Sequence, residues 1–374
     1  MARKIKVGIV TWLGGGNYGT TLQSFALHEK LRQMGYAVYY IGSYNHAGFL
    51  KGVIRSILSW SGFQRMRYWM NLKKSMGVKG EKLFRFVERN YNIKKPTCDY
   101  TFNKLIKNTD VFVTGSDQIW NVAFRFNPFM FLDFATGKRK VAYASSIGLS
   151  DIPNEYKDQV RTYLSDFSCI GVREKTAVDI LSRLLLRGDI LQVLDPTFLL
   201  PPDNWIELCN KAEYEEEIPD GYILFYLIGN NDWYVEQANE VIRKIGIYNV
   251  VIVPSAENPN LRIDGAIVYN NAGPIEFVDL IRRASFVCTD SFHATALSIN
   301  LSKNFVTFLR FKDTDGLSQN SRIYDLLNHY GLLTRLYEGN STSWWKPIDY
   351  NIVQKQLDKD REQSLSYLTH AIDG

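Results

Sequence analysis

KVGIVTWLGGGNYGTTLQ, Lys6 to Gln23, joins a short apolar run to a glycine-rich loop and then to a helical pattern. Strand, tight turn and helix in that order are the opening unit of a doubly wound α/β sheet. Two nucleotide-binding patterns fit the stretch literally. Gly14, Gly16 and Gly19 spell G-x-G-x-x-G, while Gly14, Gly19 and Thr21 frame a P-loop. Neither pattern is complete. A P-loop needs a lysine where this chain has Thr20, and a dinucleotide site needs an acid at the end of the second strand, which here reads GSYNHAG. What survives is a backbone built for close approach and a helix start with Asn17, Thr20 and Thr21 as polar side chains, suited to an anion or a sugar hydroxyl.

Outward from that loop, apolar runs alternate with helical patterns along nearly the whole chain. Strands are expected at 5–12, 37–43, 111–115, 140–146, 169–174 and 190–195, with a mostly helical insertion over about 50–107. DPTFLLPPDNW, Asp195 to Trp205, carries three prolines and interrupts the pattern, and an acidic turn-like segment follows at 213–221. A second alternation begins with GYILFYLIG. The economical reading is two doubly wound Rossmann-like domains facing a cleft, 1–205 and 206–374, the second ending in a helix.

The composition of the 374 residues, 45% hydrophobic and 22% charged, is that of a globular protein. No apolar run approaches the ~18 residues of a membrane span. Cys98, Cys169, Cys209 and Cys288 stand far apart, without C-x-x-C or nearby histidine, so they read as reduced thiols of a cytoplasmic protein and no metal site is expected. The net charge of +5 is unevenly spread. No acid occurs from Lys30 to Gly80, where Lys51, Arg55, Arg65 and Arg67 sit among Trp60, Phe63, Tyr68 and Trp69. That segment reads as a contact for an anionic membrane face or for an anionic substrate, or equally as a solvated helical insertion with buried aromatics. No nucleic-acid motif accompanies it.

Chemistry-bearing residues gather at strand ends. VFVTGSDQIWN places Ser116 and Asp117 after a buried strand at an expected helix start, where Asp117 reads as an N-cap or as a carboxylate acting on a sugar hydroxyl. CIGVREKTA puts Arg173 at another strand end, facing either an ion pair with Glu174 or an anionic ligand. FVCTDSFHATALSIN carries Asp290, Ser291 and His293 from a strand end into the first turn of a helix, and NSRIYDLL sets Arg322 at a helix start. No Ser-His-Asp spacing is present. Arg173, His293 and Arg322 on one side of the ledger of charge, and Asp117 and Asp290 on the other, suit an anionic donor and a hydroxylated acceptor.

In order, NYGTTLQSFALHEKL, TGSDQIWN, ASSIG, VREKTA, LDPTF and TDSFHATALSI resemble the polysaccharide pyruvyl transferase family over roughly residues 8–331. The resemblance implies a glycosyltransferase-B-like fold and transfer of pyruvate from phosphoenolpyruvate to a sugar as a ketal. It further implies service in capsule, exopolysaccharide or cell-wall glycan synthesis on a nucleotide- or lipid-linked sugar. Phosphoenolpyruvate is then a co-substrate, with no cofactor. His293 is implied as the acid/base, and Asp117, read from its own strand end, is the second catalytic candidate. Arg173, Arg322 and Ser291 would bind the donor, while Asn17, Gly19, Thr20, Thr21, Ser116 and Asp290 line the acceptor side or the cleft. Two departures stand out. Arg322 replaces a lysine common in the family, keeping charge without the lysine's ability to lose a proton. Thr20 stands where many members carry an acid. Two other readings stay open, a glycosyltransferase using a nucleotide sugar and a non-catalytic sugar-binding scaffold.

Overall fold

A computed structural model describes residues 3–14, 16–42, 61–124, 126–312, 318–339 and 342–374, apart from the side chains of 61–69 and 72. Two units separate by their internal contacts. The first comprises Met1–Leu13, Ser24–Asp195 and Ser364–Gly374, and the second Gly14–Gln23 and Pro196–Gln363.

Continuous apolar runs such as VFVT and ILFY are buried on both faces, which is the condition for parallel strands covered by helices. In the first unit the strands are β1 (Lys6–Val10), β2 (Ala37–Ile41), β3 (Ile93–Lys94), β4 (Val111–Thr114), β5 (Arg139–Ser145), β6 (Cys169–Val172) and β7 (Leu191–Gln192). They form one parallel sheet in the order β3-β2-β1-β4-β5-β6-β7. The second unit holds β8 (Ile223–Tyr226), β9 (Val250–Ile252), β10 (Ile267–Val268), β11 (Phe286–Thr289) and β12 (Phe305–Thr307), ordered β10-β9-β8-β11-β12. Both orders reverse direction once, between β1 and β4 and between β8 and β11. Such a reversal leaves a crevice beyond the carboxyl ends of the two central strands, where ligands of doubly wound sheets bind.

Within its described residues the insertion over 50–107 is mostly helical as expected, in Ser61–Asn90 and Asp99–Asn108, and between these helices the chain adds β3 to the edge of β2, pairing Tyr40 with Ile93 and Ile41 with Lys94. Lys51 and Arg55, with the side chains of Arg65 and Arg67, lie outside the described residues. The division between units falls at Asp195 and Pro196 rather than near 205. The proline-rich stretch that interrupts the alternation is packed, because Asn300 Nδ2 donates to the carbonyls of Thr197 (2.8 Å) and Leu200 (2.9 Å), and Trp205 is fully buried.

The chain ends also cross the expected partition. The helix Tyr350–Asp373 begins in the second unit, but its last residues belong to the first, where Tyr367 donates to the Ala142 carbonyl at 2.8 Å and Arg139 Nε to that of Ala371 at 2.6 Å. Conversely, the glycine loop belongs to the second unit. Tyr18 stacks on Phe277 with ring centroids 4.3 Å apart and donates its hydroxyl to the Ala272 carbonyl at 2.7 Å. Such a stacked pair adds about 1 kcal/mol beyond burial. Among the described residues no helix is long and apolar enough to cross a membrane.

Candidate active site

The carboxyl edge of the second sheet is organised by Asp290, which follows β11. Its carboxylate reaches the chain leaving β8, accepting from the amides of Ile228 (2.6 Å) and Gly229 (2.7 Å) and from the Tyr234 hydroxyl (2.7 Å). The two strands that flank the reversal are thereby tied together by one side chain. Burial, with Asp290 behind it, pushes the Tyr234 hydroxyl well above the ordinary phenol range, so it remains a donor to this carboxylate. Sequence reading placed Asp290 on the acceptor side or the cleft. Here it is a buried brace.

One residue later Ser291 caps the helix Phe292–Asn300, its Oγ accepting from the Ala294 amide at 3.4 Å. Every residue of that helix is buried, so its small side chains, Ala294, Ala296 and Ser298, are what let neighbours close on it. His293 occupies the first turn and is 7% exposed. A β-carbon on Gly19 would stand 2.2 Å from His293 Nδ1, so only glycine leaves room for the ring. Gly14 and Gly16 serve differently, turning the backbone at φ of +103° and +99°. The helix they open, Tyr18–Gln33, is preceded by Asn17, whose Oδ1 accepts from the Thr20 amide at 3.2 Å and whose carbonyl accepts from Thr21 N and Oγ1. The close approach inferred for a ligand is therefore made, at Gly19, to the histidine. Gly19, Thr20 and Thr21 belong to the His293 unit and not to the N-terminal acceptor domain.

Arg322 joins the same neighbourhood through Phe292. Its guanidinium carbon lies 5.9 Å from the Phe292 ring, and Nη2 donates to Gln319 Oε1 at 2.7 Å. Phe292 in turn meets His293 edge to face at 5.3 Å.

In the first unit the corresponding reversal is closed by Thr11, after β1, whose Oγ1 donates to the Ser116 carbonyl at 3.1 Å. Among the described residues no helix starts at Asp117, and the next helical turn is the short 3-10 segment Pro128–Phe131. Asp117 instead adopts a left-handed backbone at φ 75° and makes an isolated bridge to Ser145, and its Oδ1 accepts from the Gln118 amide at 2.8 Å. The expected helix start at Asp117 is thus a strained loop position, of the kind that persists where surrounding structure fixes it. Ser116 Oγ donates to the Ala144 carbonyl at 2.8 Å.

Arg173, at the end of β6, is buried between Glu174 (2.9 Å) and Asp195 (3.0 Å), with its amide on the Ser145 carbonyl. The ion pair with Glu174 does form, but as part of a buried triad. Burial works against its charge, yet Glu174, then Asp195 and Asp117, outweigh that cost and hold the guanidinium more firmly protonated than usual. The carboxylates also hold its plane fixed, the form in which arginine meets a flat oxyanion.

Of the residues singled out from sequence, Asn17, Gly19, Thr20, Thr21, Asp290, Ser291, His293 and Arg322 fall in the second unit. Ser116, Asp117 and Arg173 fall in the first. Asp195, Tyr234 and Arg310 escaped notice. LDPTF and FVTFLR each set a charged residue just past an apolar run, the same signal that marked VRE, and so offered the means to find Asp195 and Arg310.

Two doubly wound parallel α/β units, each with one reversal of strand order, define the glycosyltransferase-B-like class. The structure is similar to that of UDP-N-acetylglucosamine 2-epimerase from Methanocaldococcus jannaschii, solved with UDP-GlcNAc and UDP. The TM-score is 0.51 at 14% identity, covering 98% of this chain and all of that one (100%). A second UDP-N-acetylglucosamine 2-epimerase gives 0.50 at 12% identity, covering 98% and 96%. At such identities the likeness is one of fold. Comparison with curated proteins yields no match. The sequence profile of polysaccharide pyruvyl transferases, by contrast, matches residues 17–310, and the chain belongs to that family.

Proposed function

We propose that this protein transfers the pyruvyl unit of phosphoenolpyruvate to two hydroxyls of one sugar, closing a pyruvate ketal and releasing phosphate. The observation that carries the proposal is His293, buried at the reversal of strand order with glycine at position 19 making space for its ring. In the reaction, His293 delivers a proton to the methylene carbon and C2 becomes electrophilic. One hydroxyl adds there, and the second displaces phosphate. The two hydroxyl protons balance the one gained by the methyl group and the one carried off on phosphate. Donor binding on the His293 edge falls to Arg322 and Ser291; in the first unit Arg173 is the anion-binding candidate and Asp117 the one for an acceptor hydroxyl. The acceptor is a capsule or exopolysaccharide precursor, carried on lipid or nucleotide, at the cytoplasmic membrane face.

Incubation with phosphoenolpyruvate and candidate sugars tests this. Equimolar phosphate release and a pyruvate-sized mass gain on the sugar are expected. Turnover with a nucleotide sugar alone, without phosphoenolpyruvate, contradicts it.

A further inference from the structure

Arg310, three residues beyond β12, stands at the carboxyl edge of the second sheet without a role so far. Its Nε lies 3.4 Å from Asp290 Oδ2, and Nη2 donates to the Asp290 carbonyl at 3.3 Å. Both are long contacts, and the reason is visible. Asp290 already accepts three bonds of 2.6 to 2.7 Å from Ile228, Gly229 and Tyr234, which take up most of its capacity. Arg310 Nε is buried and has no hydrogen-bond partner among the described residues, although the side chain is 25% exposed. A guanidinium is thus steered by a carboxylate that cannot saturate it.

The surroundings are shaped to keep it there. A β-carbon on Gly229 would stand 2.8 Å from the Tyr234 hydroxyl, 2.9 Å from Arg310 Cγ and 3.0 Å from Asp290 Oδ2, so glycine is what lets the three side chains converge. Gly229 is itself fixed by Asn258, whose Nδ2 donates to its carbonyl at 2.6 Å. Asn231 Nδ2 in turn donates to the Arg310 carbonyl at 3.3 Å. Arg310 also follows the strand next to β11, which places it on the same edge as Ser291 and His293.

We infer that Arg310 binds an oxyanion of the donor, phosphate or carboxylate, with Asp290 as the residue that positions it. This rests on the phosphoenolpyruvate reading and adds a residue that the sequence motifs do not supply. A planar fork with charge and unused donors is the side chain suited to that task.

The test is calorimetric titration of phosphoenolpyruvate, inorganic phosphate and pyruvate into the wild-type protein and into Arg310→Gln, Arg310→Lys and His293→Ala, each confirmed folded by thermal melting. Arg310→Gln should weaken phosphoenolpyruvate at least about tenfold, the scale of one charge-assisted pair, with Lys restoring part of it. Weakening of phosphate or of pyruvate shows which group Arg310 holds. His293→Ala should still bind the donor. If the wild type binds phosphoenolpyruvate and Arg310→Gln binds it equally well, the inference fails and the proposed reaction stands. If the wild type binds none, both fail.

Discussion

At the scale of single residues, the telling pair is Gly19 and His293. Gly19→Ala forces a β-carbon against the imidazole, which must rotate or shift. The expected outcome is a fall in turnover of about a hundredfold or more, with a stability loss of only ~1–3 kcal/mol, the usual cost of overpacking. Kinetics and denaturant melts on the same preparation check both, and an unimpaired Gly19→Ala enzyme would remove the packing argument. Arg173 offers a second case. Asp195→Ala strips one carboxylate from a buried guanidinium, and such removals cost roughly 3–5 kcal/mol. A loss under ~1 kcal/mol in urea denaturation shows that water or another group compensates. The residues at strand ends were legible because an apolar run terminating in a polar or charged residue is a local signal. Gly19's purpose was not, since the atom it avoids lies 274 positions further along the sequence, as the two residue numbers show.

Among the elements, the helix Ser321–His329 carries Arg322 near its start and is tied at its end to the C-terminal helix. His329 Nε2 meets Asp360 Oδ2 at 2.6 Å, a carboxylate that also accepts from Tyr330 and Gln356. The bond that His329 donates to Asp360 raises its pKa above the ordinary value, although burial works the other way. Because the folded value lies above the unfolded one, the stabilisation is fully present below about pH 6.5 and fades as pH rises through the folded value. Thermal melts across that window should show the wild type losing stability on the alkaline side relative to Asp360→Asn, in which the slope flattens. Identical slopes would discount the pair. The order of strands and helices could be read almost directly, since buried parallel strands are continuous apolar runs. β3 was hidden because two residues carry no periodicity, and the left-handed turn at Asp117 because Gly-Ser-Asp resembles a helix cap equally well.

For the whole molecule, sequence patterns yielded the two α/β domains and the family, but misplaced the partition. The prolines of DPTFLLPPDNW drew the boundary towards 205, whereas Asn300 and the buried Trp205 hold the stretch from Pro196 onward in the second unit. Membership of Gly14–Gln23 in the second unit and Ser364–Gly374 in the first arises from contacts such as Tyr18 on Phe277 and Tyr367 to Ala142, which no local pattern encodes. The consequence is functional, because the glycine loop now accompanies His293 and the donor chemistry proposed for it. That chemistry is tested most directly by running the reaction with phosphoenolpyruvate and an accepted sugar in deuterated water. One solvent deuteron in the methyl group of the ketal per phosphate released, abolished in His293→Ala, is the predicted result. A ketal formed as fast by His293→Ala, or no consumption of phosphoenolpyruvate with any sugar, would contradict it.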